Sequence, residues 1–275
     1  MGRMEGKVVF VTGVARGQGR SHAVRLAEEG ADIIGVDICK DVEEADYRMA
    51  TAQDLNETAM AVEALGRRAF LRKADVRDAH SLGAIVDEGV AELGRLDAVV
   101  ANAGIANLNP QGTLAIEEGT WRAMLDINLT GVWNTCRIAV KHLGAGASIV
   151  LTSSAAGLKG YAHIGHYVAA KHGMVGLMRT LAIELGPRSI RVNSVHPSQV
   201  PTDMIMNDSI IRQFVPDREE PTMEEFAAAS QAMHLLPIPW VESVDISNAV
   251  LFLVSSESRY ITGVPLPVDG GAQVR

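Results

Sequence analysis

The chain has little of several things, and each shortage excludes a class of protein. Two cysteines, Cys39 and Cys136, stand among 275 residues, too few for a disulfide framework and without the spacing of a metal site. A reducing compartment accounts for both as free thiols. No apolar run approaches the roughly 20 residues that a bilayer-spanning helix needs, and "MGRMEG" runs almost directly into an apolar strand pattern with no leader-like stretch between. A cytoplasmic protein with no membrane partner is expected. Basic charge is also scarce, since 25 lysines and arginines against 33 acidic residues leave a net charge of −8. Nucleic-acid binders concentrate lysine and arginine on one face, so small-molecule partners are expected instead.

What the chain has is apolar residues in short, regular runs. With 47% hydrophobic content it can bury a substantial core in one large domain. Seven β-branched stretches recur: "KVVFVTG", "ADIIGVDI", "RAFLRKADV", "LDAVVANAG", "ASIVLTSS", "IRVNSVHP" and "GVPLPVDGG". Near-continuous apolar strands imply a sheet covered on both faces. Helical patterns alternate with them at 18–29, 59–65, 81–93, 121–142 and 168–185. Strict alternation predicts an α/β fold, a doubly wound parallel sheet of about seven strands in a single domain. No repeat, linker or low-complexity segment interrupts it.

Two stretches fit neither pattern. Residues 39–53 form a polar detour between the second strand and the next helix, far longer than the other strand-to-helix connections. Residues 198–240 follow the sixth strand and are rich in methionine, proline and acid. They lie where an open α/β sheet binds ligands.

"VTGVARGQGRS" closes the first strand and opens the first helix, placing Gly13, Gly17 and Gly19 at the turn. Glycine lets backbone approach a pyrophosphate, and the helix N-terminus supplies free N–H groups and positive dipole. The same glycines would serve an ordinary turn, but their place after a first strand favours a Rossmann-type dinucleotide site. The second strand ends in Asp37 and Ile38, where a carboxylate can reach the adenosine ribose hydroxyls. That favours NAD over NADP, because a 2′-phosphate would face like charge. Arg16 pulls the other way, since a guanidinium there could meet a 2′-phosphate.

"HYVAAKHGMVG" places Tyr167 and Lys171 four apart, on one face of a helix. Ser154 ends the fifth strand thirteen residues before Tyr167, a span that lets hydroxyl and phenol converge at the carboxyl edge of the sheet. Asn128, in "DINLTG", is a polar group inside an amphipathic helix; a local bend or a satisfied core amide would also explain it. His163 and His166 sit just ahead of Tyr167, placed either to reach the cleft or to occupy a surface loop. No residues are spaced as a metal cluster.

In this order the motifs resemble the short-chain dehydrogenase/reductase family from end to end. The T-G-x-x-x-G-x-G turn is Thr12 to Gly19, the adenine-side "DV" is Asp75 and Val76, and the N-A-G turn is Asn102, Ala103 and Gly104. The family's tetrad falls on Asn128, Ser154, Tyr167 and Lys171, and its nicotinamide segment on "PSQVPT", with Pro197, Val200 and Thr202. Three positions depart from the pattern: Gln18, Ala101 and Ser198. Gln18 and Ser198 border the expected nicotinamide site.

The resemblance implies reversible oxidation of an alcohol to a ketone with NAD. Lys171 and an oxidised nicotinamide would both favour the phenolate of Tyr167, making it the proton acceptor. Ser154 would bond the reacting oxygen, Lys171 would grip the nicotinamide ribose, and Asn128 would hold a water leading to solvent. The residues after Thr202 would form a lid over a hydrophobic ligand, built from side chains such as Met204, Met206, Phe214, Met223, Phe226 and Trp240. The family also implies a homotetramer, with Trp133, Met174 and Met178 as interface residues.

More narrowly, "GVARGQGRSHAVRLAEEGADIIGVDIC" with its long insertion is similar to the carveol-dehydrogenase-like, mycofactocin-associated subgroup. There the insertion covers the adenosine end of a non-exchanging NAD, here through Cys39, Lys40, Tyr47, Met49 and Ala50, and mycofactocin takes the electrons. Such a cover acts mainly by slowing dissociation. The alternatives are a variable surface loop on a ketoreductase of the 3-oxoacyl or steroid type that exchanges NAD(P)H freely, and a catalytically silent dinucleotide sensor.

Overall fold

The computed structural model describes residues 2–275. Seven parallel strands form one sheet in the order β3-β2-β1-β4-β5-β6-β7: β1 (Val8–Thr12), β2 (Asp32–Asp37), β3 (Ala69–Lys73), β4 (Leu96–Ala101), β5 (Leu143–Thr152), β6 (Arg191–Pro197) and β7 (Pro265–Val268). The helices are α1 (Gly17–Glu28), α2 (Ala52–Ala64), α3 (Ala79–Leu93), α4 (Glu118–Leu125), α5 (Gly131–Ala139), α6 (Gly165–Leu185), α7 (Asp208–Phe214), α8 (Met223–Gln231) and α9 (Ser243–Val254).

Alternation along β1 shows how the sheet is buried. Val8 and Phe10 join Ile34, Phe70, Leu82, Val132 and Met174 in the core under α3, α5 and α6. Val9 and Val11 join Leu26, Ile33, Val250 and Leu251 under α1 and α9. β1 is thus apolar on both sides, as a strand inside a sheet between two helical layers requires. β1 pairs with both β2 and β4, so the chain reverses its direction of travel across the sheet there. The connections after β1 and β4 diverge and leave a crevice at the carboxyl ends of the strands.

Four helical boundaries differ from the sequence reading. α2 begins at Ala52, not 59, because Thr51 accepts from the Asp54 N–H while the Asp54 carboxylate accepts from the Thr51 N–H; this capping box starts the helix earlier than its apolar pattern shows. The stretch 121–142 is two α-helices around a π-helical turn, Asp126–Thr130. α6 starts at Gly165, so Tyr167 lies in its first turn. The segment 198–240 is not wholly irregular, since it carries α7 and α8.

Met174 and Met178 are fully buried in the core against the sheet. The interface role expected of them is therefore corrected: their side chains already pack inside one chain and have no surface to offer a partner. No helix among the described residues is long and apolar enough to cross a membrane.

Candidate active site

A cavity of about 440 Å³ occupies the crevice. Its floor is the turn after β1. Gly13 and Gly17 have φ of 68° and 53°, a region that costs glycine little, and a Cβ on Gly19 would lie 1.8 Å from the Gly13 carbonyl oxygen. The turn after β4 is laced to this floor, since Thr12 Oγ1 accepts from the N–H groups of Asn102 and Ala103 at 3.1 Å each, and Asn102 Nδ2 donates to the Thr12 carbonyl at 3.1 Å. Gln18 Oε1 and Thr152 Oγ1, on residues lining the cavity, are buried with no hydrogen-bond partner. Orphaned polar atoms beside a glycine cradle suit a polar ligand such as a dinucleotide.

At one end lies Asp37, last residue of β2. It is buried and accepts from the N–H groups of Ala15 at 3.0 Å and Cys39 at 3.2 Å. Burial raises its pKa, opposed by those N–H groups and by Arg16. Arg16 itself forms an ion pair with Asp203 and stands 5.8 Å from the centre of the Tyr47 ring. Its charge is engaged between the detour and the segment after β6 rather than free for a 2′-phosphate.

At the other end stand Tyr167 and Lys171. The Lys171 ammonium donates to the Thr152 carbonyl at 2.9 Å and lies 5.5 Å from the Tyr167 ring centre. Burial lowers its pKa from 10.5 to about 7. Burial likewise raises the Tyr167 phenol, with the neighbouring Ser154 hydroxyl acting in the opposite direction. Ser154 lies two residues beyond the end of β5 and caps a short 3₁₀ turn, its Oγ accepting from the Ala156 N–H at 3.1 Å. Asn128 sits in the π-helical turn, a widened turn of the kind that recurs at functional sites. Its Oδ1 accepts from the Ile105 N–H at 2.9 Å and its Nδ2 donates to the Ile105 carbonyl at 2.7 Å.

The detour closes over the cavity beside Asp37. Val42, Tyr47, Met49 and Ala50 line it, and Val42 packs with Val76, Ile105, Met124 and Ile127. Cys39 packs against Ala15 and Ala50, and Lys40 lines a separate cavity beside Lys73 and Arg77. Neither of these two expected cover residues faces the main cavity.

The family model described as enoyl-(acyl carrier protein) reductase matches residues 13–273. The chain is 60% identical to the (-)-trans-carveol dehydrogenase of Rhodococcus erythropolis, covering all of both sequences. Its fold superposes with a TM-score of 0.98 on the crystal structure of carveol dehydrogenase from Mycobacterium avium in complex with NAD, at 56% identity over all of both chains. A short-chain dehydrogenase from Mycobacterium paratuberculosis bound to NAD follows at 0.90 and 45%, again over all of both chains. The chain belongs to the short-chain dehydrogenase/reductase family.

Of the residues singled out from family motifs, Gly13, Arg16, Gly17, Gln18, Gly19, Asp37, Ile38, Asp75, Val76, Asn102, Ala103, Gly104, Tyr167, Lys171 and Thr202 line the cavity. Asn128, Ser154, Pro197 and Val200 do not line it: Asn128 is buried against Ile105, Ser154 lies one residue beyond the lining Ser153, Pro197 is held in the sheet opposite Val268, and Val200 is buried in the core. Pro201, Asp203, Met204 and Met206 occupy that part of the wall. The departure at Ser198 is absorbed by a hydrogen bond of 2.8 Å with His234 Nε2; His234 Nδ1 faces the Ser230 carbonyl, so Nδ1 carries the proton and Ser198 donates. Among the apolar residues after Thr202, Met204 and Met206 face the cavity, while Phe214, Phe226 and Trp240 stack on one another with ring centres 5.4 and 6.2 Å apart.

Sequence reasoning missed Val42, Asp203 and Asn107. Opposite charge is the one signal linking Asp203 to Arg16, and nothing in the spacing announces it. His163 has a φ of 69° and its ring faces the Asn109 carbonyl at 3.2 Å. His166 is no surface histidine: it is fully buried and bonded to Asn107. Among the described residues no group of three or more His, Cys, Asp or Glu could hold a metal ion.

Proposed function

We propose that this protein is an NAD-dependent oxidoreductase interconverting a hydrophobic secondary alcohol, of the cyclic terpenoid class that includes carveol, with its ketone, and that it retains NAD between turnovers. The observation carrying the reading is one cavity with the Asp37 carboxylate at one end, the half-buried Tyr167 beside the buried Lys171 at the other, and the detour's Tyr47 and Met49 in its wall. The carveol dehydrogenases among its relatives support the substrate class.

Gly13, Gly17 and Gly19 would hold the pyrophosphate, Asp37 the adenosine ribose, Asp75 and Val76 the adenine side, and Thr202 the nicotinamide end. Bound NAD supplies the two-electron acceptor for the hydride of the carbinol carbon. Ser154 donates to the reacting oxygen and keeps it facing Tyr167. The Lys171 ammonium favours the phenolate form of Tyr167, which takes the hydroxyl proton and becomes the neutral phenol. That proton then leaves to solvent by way of Lys171 and water held at Asn128. In the reverse direction the same phenol donates its proton to the ketone oxygen.

A retained cofactor needs an outside acceptor, and by resemblance we assign that role to mycofactocin. The two buried free cysteines suit work in the cytoplasm, and the family resemblance supports a homotetramer. The test is to purify the protein without nucleotide, denature it and count the dinucleotide released, then assay carveol with added NAD or with an artificial acceptor. Near-stoichiometric NAD, with turnover only when the artificial acceptor is present, is expected. An empty protein that turns over with free NAD would refute retention and leave a freely exchanging dehydrogenase. Replacement of Tyr167 by Phe should lower turnover by about 10²–10⁴-fold, the usual worth of a positioned proton acceptor; unchanged turnover would refute its role.

A further inference from the structure

Three consecutive residues after the β4 turn each bond to a different part of the site. Ile105 exchanges two hydrogen bonds with Asn128, at 2.9 and 2.7 Å. The Ala106 N–H donates to the Tyr47 hydroxyl of the detour at 3.2 Å. Asn107 makes the longest reach: its Nδ2 donates to the Glu44 carbonyl of the detour at 2.6 Å, and its Oδ1 faces His166 Nε2 at 2.5 Å. A carbonyl oxygen only accepts, so the amide nitrogen must face Glu44 and the amide oxygen must face His166. His166 Nε2 therefore carries a proton and donates it to Asn107.

His166 precedes Tyr167 in the first turn of α6. It lines neither the main cavity nor the detour. Asn107 and His166 are both buried, where a hydrogen bond is sheltered from water and a lost partner is costly. A rigid connection thus runs from the detour's backbone through one amide to the helical turn that carries the phenol.

We propose that Asn107 and His166 are positioning residues that couple closure of the detour, residues 38–51 between β2 and α2, over the cofactor to the placement of Tyr167. This rests on the reading of that segment as a cofactor cover. Coupling is reciprocal, so it runs in both directions. An opened cover misplaces Tyr167 and lowers kcat, and a loosened α6 turn speeds cofactor release although His166 touches neither cofactor cavity nor cover.

The reciprocal half provides the test. Protein loaded with NADH is mixed with excess NAD, and release is followed by the NADH fluorescence. His166→Phe keeps a ring of similar size but has no N–H; it should release NADH on the order of tenfold faster, within the usual range of coupling factors. His166→Gln, whose amide can donate to Asn107, should restore the slow rate. Asn107→Asp keeps an acceptor for His166 and loses the donor to Glu44; with carveol, saturating NAD and the artificial acceptor all present, its kcat should fall about tenfold, with KM for the alcohol unchanged. His166→Phe releasing NADH at the wild-type rate, or Asn107→Asp keeping wild-type kcat, would overturn the coupling. Should His166→Phe not fold, Asn107→Asp decides by kcat alone. If the wild-type protein itself exchanges NADH freely, retention falls, while the ratio between variants still decides the coupling.

Discussion

Lys171 is a buried lysine in the site itself. Its ammonium is buried, has a carbonyl oxygen as its hydrogen-bond partner and titrates near 7 instead of 10.5. The unfolded chain keeps this proton up to about pH 10.5, whereas the folded chain gives it up near pH 7. Through that window the unfolded state binds more protons, so the group's contribution to stability rises with pH, and below pH 7 its full cost is present. Replacing Lys171 by Met removes the cost. The nucleotide-free variant should exceed wild type by a few kcal/mol at pH 6, on the order expected for such a shift, with the gain shrinking at pH 9. Urea titrations of both proteins at the two pH values check this; a gain equal at both would mean burial does not set the lysine's charge. A group that destabilises its own fold is expected where chemistry, not stability, selects the residue.

At the scale of elements, the sheet edge works because α6 is fixed on both sides. Its apolar face puts Met174 and Met178 into the core against the strands; its first turn holds Tyr167 at the cavity and ties His166 to Asn107. Cutting Met178 to Ala leaves a cavity in the core and should cost about 2–5 kcal/mol, read as a lower urea midpoint with native mass unchanged. A change in native mass instead would return Met178 to an interface. Helical spacing showed these methionines as a stripe; it could not show whether the stripe met the sheet or another chain, because both present the same period. The detour shows the same limit. Its polar composition marked an irregular connection, yet Val42, Met49 and Ala50 supply the contacts that turn it inward.

For the whole molecule, Trp133 on α5 is the interface candidate still on the surface, 46% exposed with the Arg137 guanidinium 4.6 Å from its ring centre. A large aromatic under an arginine is the composition of an interface centre. Trp133→Glu should shift native mass from the proposed tetramer toward smaller species, with little change in the stability of the single chain since the ring is already half solvated. A tetramer that survives the change would place the contact elsewhere.

Sequence signals carried the elements and the local chemistry: strands from continuous apolar runs, the phosphate turn from its glycines, and Tyr167 beside Lys171 from a four-residue spacing. Those signals are legible because each depends on neighbours a few positions away. The tertiary structure alone decided what meets across the sheet: Arg16 with Asp203, Tyr47 with the Ala106 N–H, and Asn107 between Glu44 and His166. These partners are 187, 59, 63 and 59 residues apart, and no local period records a contact made only when strands distant in the chain become neighbours in the sheet.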